Sequence, residues 1–189
     1  MINKKYLAKV GQEIVDYSKK RREIIKVSGD ILHASKKVIF ALQRDDVKLA
    51  KAMLENIKNQ FADLTKQYSK DKKLMQEGSY KAGLEEYVEA SLFWQFLQGK
   101  DIGPISIAID SDIYISGLCD VPGEIYRYAI KSATIRDFAM VKKCYAMAED
   151  IIGSMLEMDL TGYNRTKFDQ AKQDLQQLQK VVYETSLRN

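Results

Sequence analysis

An all-α fold of six or seven helices is what the sequence predicts, and three observations predict it. Apolar residues recur at spacings of three and four along nearly the whole chain. Only two prolines and ten glycines interrupt 189 residues, whereas an all-β domain of this size needs a turn signal about every ten residues. Hydrophobic residues make up 46% and charged residues 30%, with no low-complexity tract, a composition that folds. The length suits one domain, residues 1–189, with a sizeable core.

The first pattern runs through Tyr6, Val10, Ile14 and Tyr17, then Ile24, Val27, Ile31, Ala34, Val38 and Leu42. Gly29 is its weak point, so it predicts one long helix or two nearly continuous ones. Asp45 and Asp46 can cap a second helix carrying Val47, Leu49, Ala50, Met53, Leu54, Ile57, Phe61 and Leu64. A third is predicted from about Asp71 to Gln98, ended by Gly99, and Asp101 to Asp110 reads as a loop through Gly103 and Pro104. Ser111 and Asp112 open the next stretch, which must kink or restart at Pro122 and Gly123. Arg136 to Asp159 reads as an amphipathic helix stopping near Thr161 and Gly162. In the last helix, Tyr163 to Arg188, the residues Phe168, Ala171, Leu175, Leu178 and Val182 form a heptad stripe that packs on a partner helix. Some of these helices are too long to be covered in one compact monomer, which predicts a homo-oligomer.

Several classes of function are excluded or unsupported. Cys119 and Cys144 form no CxxC pair and lie in apolar helical stretches, as reduced thiols do. Lys4, Lys5, Lys9 and Glu13 interrupt the N-terminus, so it is no signal peptide, and no segment has the roughly 20 apolar residues of a membrane span. A cytoplasmic protein with no membrane partner is expected. His33 has no second histidine for zinc, and no glycine-rich phosphate loop or GxSxG elbow is present. Charge is segregated: residues 1–44 hold 11 basic and 4 acidic side chains, a net of +7, and residues 71–124 hold 4 basic and 10 acidic, a net of −6. The first stretch suits a polyanion and the second a cation, although either can equally be a solvated face.

The acidic stretch carries two pairs. Ala82, Glu86, Glu89, Phe93 and Phe96 share one helical stripe, which puts two carboxylates on a face that otherwise reads as core. Neither has a lysine or arginine three or four residues away, so they need a proton, a cation from another helix, or a metal ion. Glu85 instead has Lys81 one turn before it and reads as a solvated pair. Asp120 and Glu124, four residues apart, share a face. Structural roles are open to them: Asp120 as a cap before Pro122, and Glu124 as the partner of Arg127. Should the two helices pack together, four carboxylates converge in an oxygen-rich site suited to Mg²⁺ or Mn²⁺.

Lys20 to Ile31, Gly83 to Ala90, Gly117 to Arg127 and Val181 to Arg188 resemble, in order, segments of the translin superfamily. Glu86-Tyr87-Val88-Glu89-Ala90 and Asp120-Val121-Pro122-Gly123-Glu124 are similar to the acidic motifs of its catalytic branch, that of translin-associated factor X, in a short prokaryotic-type form. The resemblance implies a translin-type helical bundle assembling into a hollow octamer that binds single-stranded RNA or DNA. It also implies Mg²⁺-dependent RNA cleavage, with Glu86, Glu89 and Asp120 as the metal-binding acids and Glu124 as the adjacent acid. Pro122 stands where that branch has threonine, a change expected to shift the backbone between Asp120 and Glu124. The expectation is therefore a Mg²⁺-dependent endoribonuclease on single-stranded RNA, with Glu86, Glu89, Asp120 and Glu124 as its catalytic and metal residues. Charge and position single out Arg21, Arg22, Lys26, Lys36 and Lys37 for phosphate contacts, with Arg127 nearer the cleavage site. The alternative is a non-catalytic shell that binds single-stranded RNA or DNA and uses the acids as structural partners.

Overall fold

The structure, a computed structural model, describes residues 2–187. Six α-helices and one 3-10 turn make up its regular structure, so the all-α expectation holds. The first helix, α1, runs unbroken over Lys4–Gln43; the Asn3 side chain caps it by accepting a bond from the Tyr6 N–H at 3.0 Å. Gly29 does not divide it. From Ile24 onward the stripe Ile24, Ile31, Val38 and Leu42 is fully buried, whereas Tyr6, Leu7, Ile14 and Val15 are exposed. The first half of α1 therefore carries apolar residues that this chain leaves uncovered.

A tight turn leads to α2 (Val47–Tyr68). Asp46 alone caps it, accepting from the Leu49 N–H. Asp45 instead takes a left-handed conformation, φ 63°, and accepts bonds from the Tyr128 hydroxyl at 2.7 Å and the Lys131 ammonium at 2.5 Å. The bond from Lys131, then that from Tyr128, holds the Asp45 carboxyl below its usual range.

The third helix does not start at Asp71. Leu74–Gln76 is a single 3-10 turn, with the Leu74 N–H bonded to the Asp71 carboxylate, and the extended Glu77 breaks the run before α3 (Gly78–Leu97). Gly99, at φ 65°, ends that helix as expected. The loop up to Asp110 leads into α4 (Ser111–Thr134), which continues through Pro122 without a restart. Proline at that place removes the donor that the Leu118 carbonyl would otherwise receive. The helix survives because α3, α5 and α6 all pack on it. Asp120 is consequently an interior residue of α4 and caps nothing, and Asp120 and Glu124 stay one turn apart on a single helix.

Helix α5 (Phe138–Leu156) begins later than Arg136, at the Asp137 cap, which accepts from the Met140 N–H; Arg136 occupies a left-handed conformation, φ 62°. Gly162 is the first residue of α6 (Gly162–Ser186), and Arg188 of the predicted last helix lies outside the described residues. Phe168, Ala171 and Leu178 of the heptad stripe are buried against α4 and α5. The stripe thus packs within the chain.

Helices α1, α2 and α3 pack as one layer and α4, α5 and α6 as another, joined mainly where α3 meets α4. Gly117 sets that contact: a Cβ on it would stand 2.6 Å from the Val88 Cβ and 2.7 Å from the Glu85 carbonyl oxygen, so no other residue fits this spacing. The approach brings the acidic stripe of α3 beside that of α4. None of the described helices is long and apolar enough to cross a membrane.

Candidate functional site

Between α1, α3 and α4 lies an open cleft of about 400 Å³, lined by Lys36, Phe40, Gln43, Glu86, Glu89, Glu124 and Arg127 together with Ile39. Glu89 is its most secluded acid, 7% exposed, with no hydrogen-bond or ion-pair partner among the described residues. Burial, then the charges of Asp120, Glu86 and Glu124, pushes its carboxyl up to about 9. Glu86 is also raised, by burial first, with the Lys36 ammonium 4.0 Å away opposing that shift. Glu124 is buried and fully partnered. It accepts from Arg127 Nη1 at 2.8 Å and from Gln43 Nε2 at 2.9 Å, so the expected pairing with Arg127 is present.

Asp120 does not line the cleft; it stands to one side, bonded to the ammonium of Lys167 on α6. Burial raises its carboxyl and the Lys167 bond opposes the rise. Lys167 also bonds Glu85, to which the Tyr163 hydroxyl donates at 3.1 Å. Glu85 is therefore no solvated partner of Lys81, because α6, packed on α4, reaches it with Lys167 and supplies the cation. Burial pulls the Lys167 ammonium down, but its bonds to Asp120 and Glu85 outweigh this and keep it above a lysine's ordinary value. Asp174 on α6, beside Gly123, carries a carboxyl raised by burial.

Sequence reasoning passed over Lys167, Gln43 and Asp174. Glu85 it read with the wrong partner. No local spacing points to the first three, since each reaches the acids only through the crossing of its helix with another.

The basic residues of α1 divide into two groups. Arg22, Lys26 and Lys37 are exposed and, with His33, share one face at helical spacing. Arg21 is committed to Glu77, Nε to Oε1 2.7 Å, and Lys36 turns to Glu86. Arg127 sits at the cleft mouth with its side chain 69% exposed.

The donor set suits a hard divalent cation: four carboxylates lie on two adjoining helices, one of them buried and unpartnered. As they lie, however, no three acidic, histidine or cysteine side chains among the described residues stand close enough together to hold one ion. Lys36, Arg127 and Lys167 hold three of the four acids.

Fold and cleft together define an all-α protein of two three-helix layers with a carboxylate-lined cleft at their junction. The chain belongs to the translin family, whose family model matches residues 19–107 and 103–189. Among solved structures it is similar to apo-NeC3PO, at 22% identity over 98% of each chain and a TM-score of 0.87. It is also similar to AfC3PO in a complex with duplex RNA, at 19% identity over 97% of this chain and 98% of that one, again with a TM-score of 0.87. At these identities the likeness extends to the fold alone. No curated protein matches the chain.

Proposed function

We propose that the protein is a Mg²⁺-dependent endoribonuclease that binds and cuts single-stranded RNA in the cytoplasm as a homo-oligomer, an octamer in the expected form. Glu89 carries this reading: a buried carboxylate among three others, with no protein partner, sits where a cation relieves both its desolvation and the mutual repulsion. The RNA assignment is supported by family membership and by the similar AfC3PO, whose structure holds duplex RNA. Glu86, Glu89, Asp120 and Glu124 are the residues that would hold Mg²⁺, with Mn²⁺ as a substitute. When bound, the ion supplies an activated water and stabilises charge on the reacting phosphate.

The chain's own residues supply the rest. Arg127, exposed at the mouth, can leave Glu124 for a phosphate oxygen, and Lys36 can leave Glu86 in the same way. The exposed stripe Arg22, Lys26 and Lys37 tracks the RNA backbone as it approaches. The uncovered apolar half of α1 is suited to a second copy of the chain.

A second reading has its own observation. Three of the four acids already have cations, which favours a non-catalytic shell that holds single-stranded RNA or DNA with structural glutamates. Incubation of the parent and Glu89→Gln proteins with labelled single-stranded and duplex RNA, in Mg²⁺ or in EDTA, separates the two. Cleavage by the parent alone, abolished by EDTA, supports the nuclease. Binding without cleavage under every condition supports the shell.

A further inference from the structure

Three cations face the acids, and they are not equivalent. The Lys36 and Arg127 side chains are 59% and 69% exposed, so each can swing into water at little cost. Lys167 is different. Its side chain is 15% exposed, and its ammonium is shared between Glu85 of α3 and Asp120 of α4. The ring of Tyr163, one turn earlier on α6, lies 5.4 Å from that ammonium, and the Tyr163 hydroxyl donates to the same Glu85 oxygen, Oε1, that Lys167 bonds. An ammonium enclosed by two carboxylates and a ring has no low-cost route to solvent.

We propose that Lys167 is the resident counter-cation of the acidic site, a positioning residue that fixes Asp120 and sets how tightly the site takes a divalent ion. The proposal rests on the metal reading above. Lys167 occupies Asp120 through Oδ2 and leaves Oδ1 without a partner among the described residues. One carboxylate oxygen is therefore pinned while the other stays available, which aims Asp120 from the α6 side. At the same time a fixed positive charge next to the cluster opposes a second cation by direct repulsion. The site trades affinity for geometry. Glu85 is the balancing arm, since by sharing the ammonium it weakens the hold of Lys167 on Asp120.

The test is Mn²⁺ binding to the full-length protein, followed by loss of the free-ion paramagnetic resonance signal, in the parent and in Lys167→Met, Lys167→Arg and Glu85→Gln. Methionine keeps most of the aliphatic reach and removes the charge, so Lys167→Met is expected to bind Mn²⁺ at least threefold more tightly. Its RNA cleavage at saturating Mn²⁺ is expected to fall about tenfold, because Asp120 is no longer aimed. Lys167→Arg restores the parental affinity, and Glu85→Gln, which returns the whole ammonium to Asp120, binds more weakly than the parent. Unchanged or weaker binding by a folded Lys167→Met protein overturns the proposal and leaves the metal reading standing. A parent that binds no Mn²⁺ at millimolar concentration overturns both. If Lys167→Met fails to fold, the decision passes to Glu85→Gln, where unchanged or tighter binding overturns the proposal.

Discussion

Replacing Glu89 by glutamine should make the metal-free protein gain stability over the parent as pH rises. The folded carboxyl titrates at about 9, against an ordinary glutamate value of 4.5. Its folded value is raised, so the folded state holds a proton that the unfolded chain gives up. Stability is then greatest below pH 4.5 and falls as pH rises toward 9, by about 1.4 kcal/mol for each pH unit between the two values. At pH 7.5 the accumulated penalty is ~4 kcal/mol, and since local relaxation and water penetration soften buried charges, about 2 to 4 kcal/mol is the working range. Glutamine keeps the shape and never ionises. Its buried amide has a cost of its own, about 1 to 3 kcal/mol if unbonded, but that cost is independent of pH. The diagnostic is therefore the slope. Thermal melts of parent and variant at equal protein concentration, in EDTA from pH 5 to 8.5, should show the variant gaining on the parent throughout. For a chain of this length each kcal/mol moves Tm by about 2–4 °C, so the relative gain across the range should exceed about 5 °C. Parallel pH curves would refute the claim that Glu89 is a buried, unpartnered acid. A variant that lies below the parent by a constant amount across this range would show instead that the carboxylate is held by a cation, since such an acid is already ionised in both states above pH 5. With Mg²⁺ added, the parent should gain stability by ligand linkage and the variant less.

Three further expectations follow from other parts of the molecule. Gly117→Ala should lower stability by about 2 kcal/mol, since its methyl would meet Val88 and the Glu85 backbone, and should cost cleavage as well by parting α3 from α4; an unchanged Tm in a denaturation scan would remove Gly117 as the determinant of that junction. Arg22→Gln combined with Lys26→Gln should weaken single-stranded RNA binding at low salt and lower the slope of log K against log salt by about 1.4, roughly 0.7 for each phosphate no longer neutralised, read from filter binding at several ionic strengths. Tyr6→Asp with Ile14→Asp should shift the light-scattering mass toward the monomer while leaving helicity intact, and an unchanged mass would place the subunit interface away from this half of α1.

Much of the fold is legible in the sequence because it rests on one-dimensional signals. The stripe from Ile24 to Leu42 needs only a period of 3.6, and it is buried as that period requires. Boundaries are harder to read wherever two signals compete. Asp71 offers a cap, but it closes a single 3-10 turn, because Glu77 turns extended before α3 can begin. Pro122 is a breaker by its chemistry, yet three helices pack on α4 around it, and a tertiary gain of that kind outweighs one missing backbone bond.

The site is legible to the same depth and no further. Periodicity places Glu86 and Glu89 on the apolar face of α3, and the structure puts them at the cleft, with Glu89 buried. What periodicity cannot supply is the identity of the helix that crosses a given face, and the charge state of an acid depends on that crossing. Glu85 shows this most plainly. Its sequence neighbour Lys81 is one turn away, yet the cation it meets comes from position 167, 82 residues later, because α6 packs on α4 beside α3 and its Lys167 side chain reaches across. Glu86 and Glu124 likewise take Lys36 and Gln43 from α1, and Asp120 takes Lys167. Every acid of the cluster but Glu89 receives a donor from a helix other than its own. By sequence Glu86 and Glu89 have the same need for a proton, a cation from another helix or a metal ion; Lys36 of α1 answers it for Glu86, and Glu89 is the acid that the crossings leave without a partner.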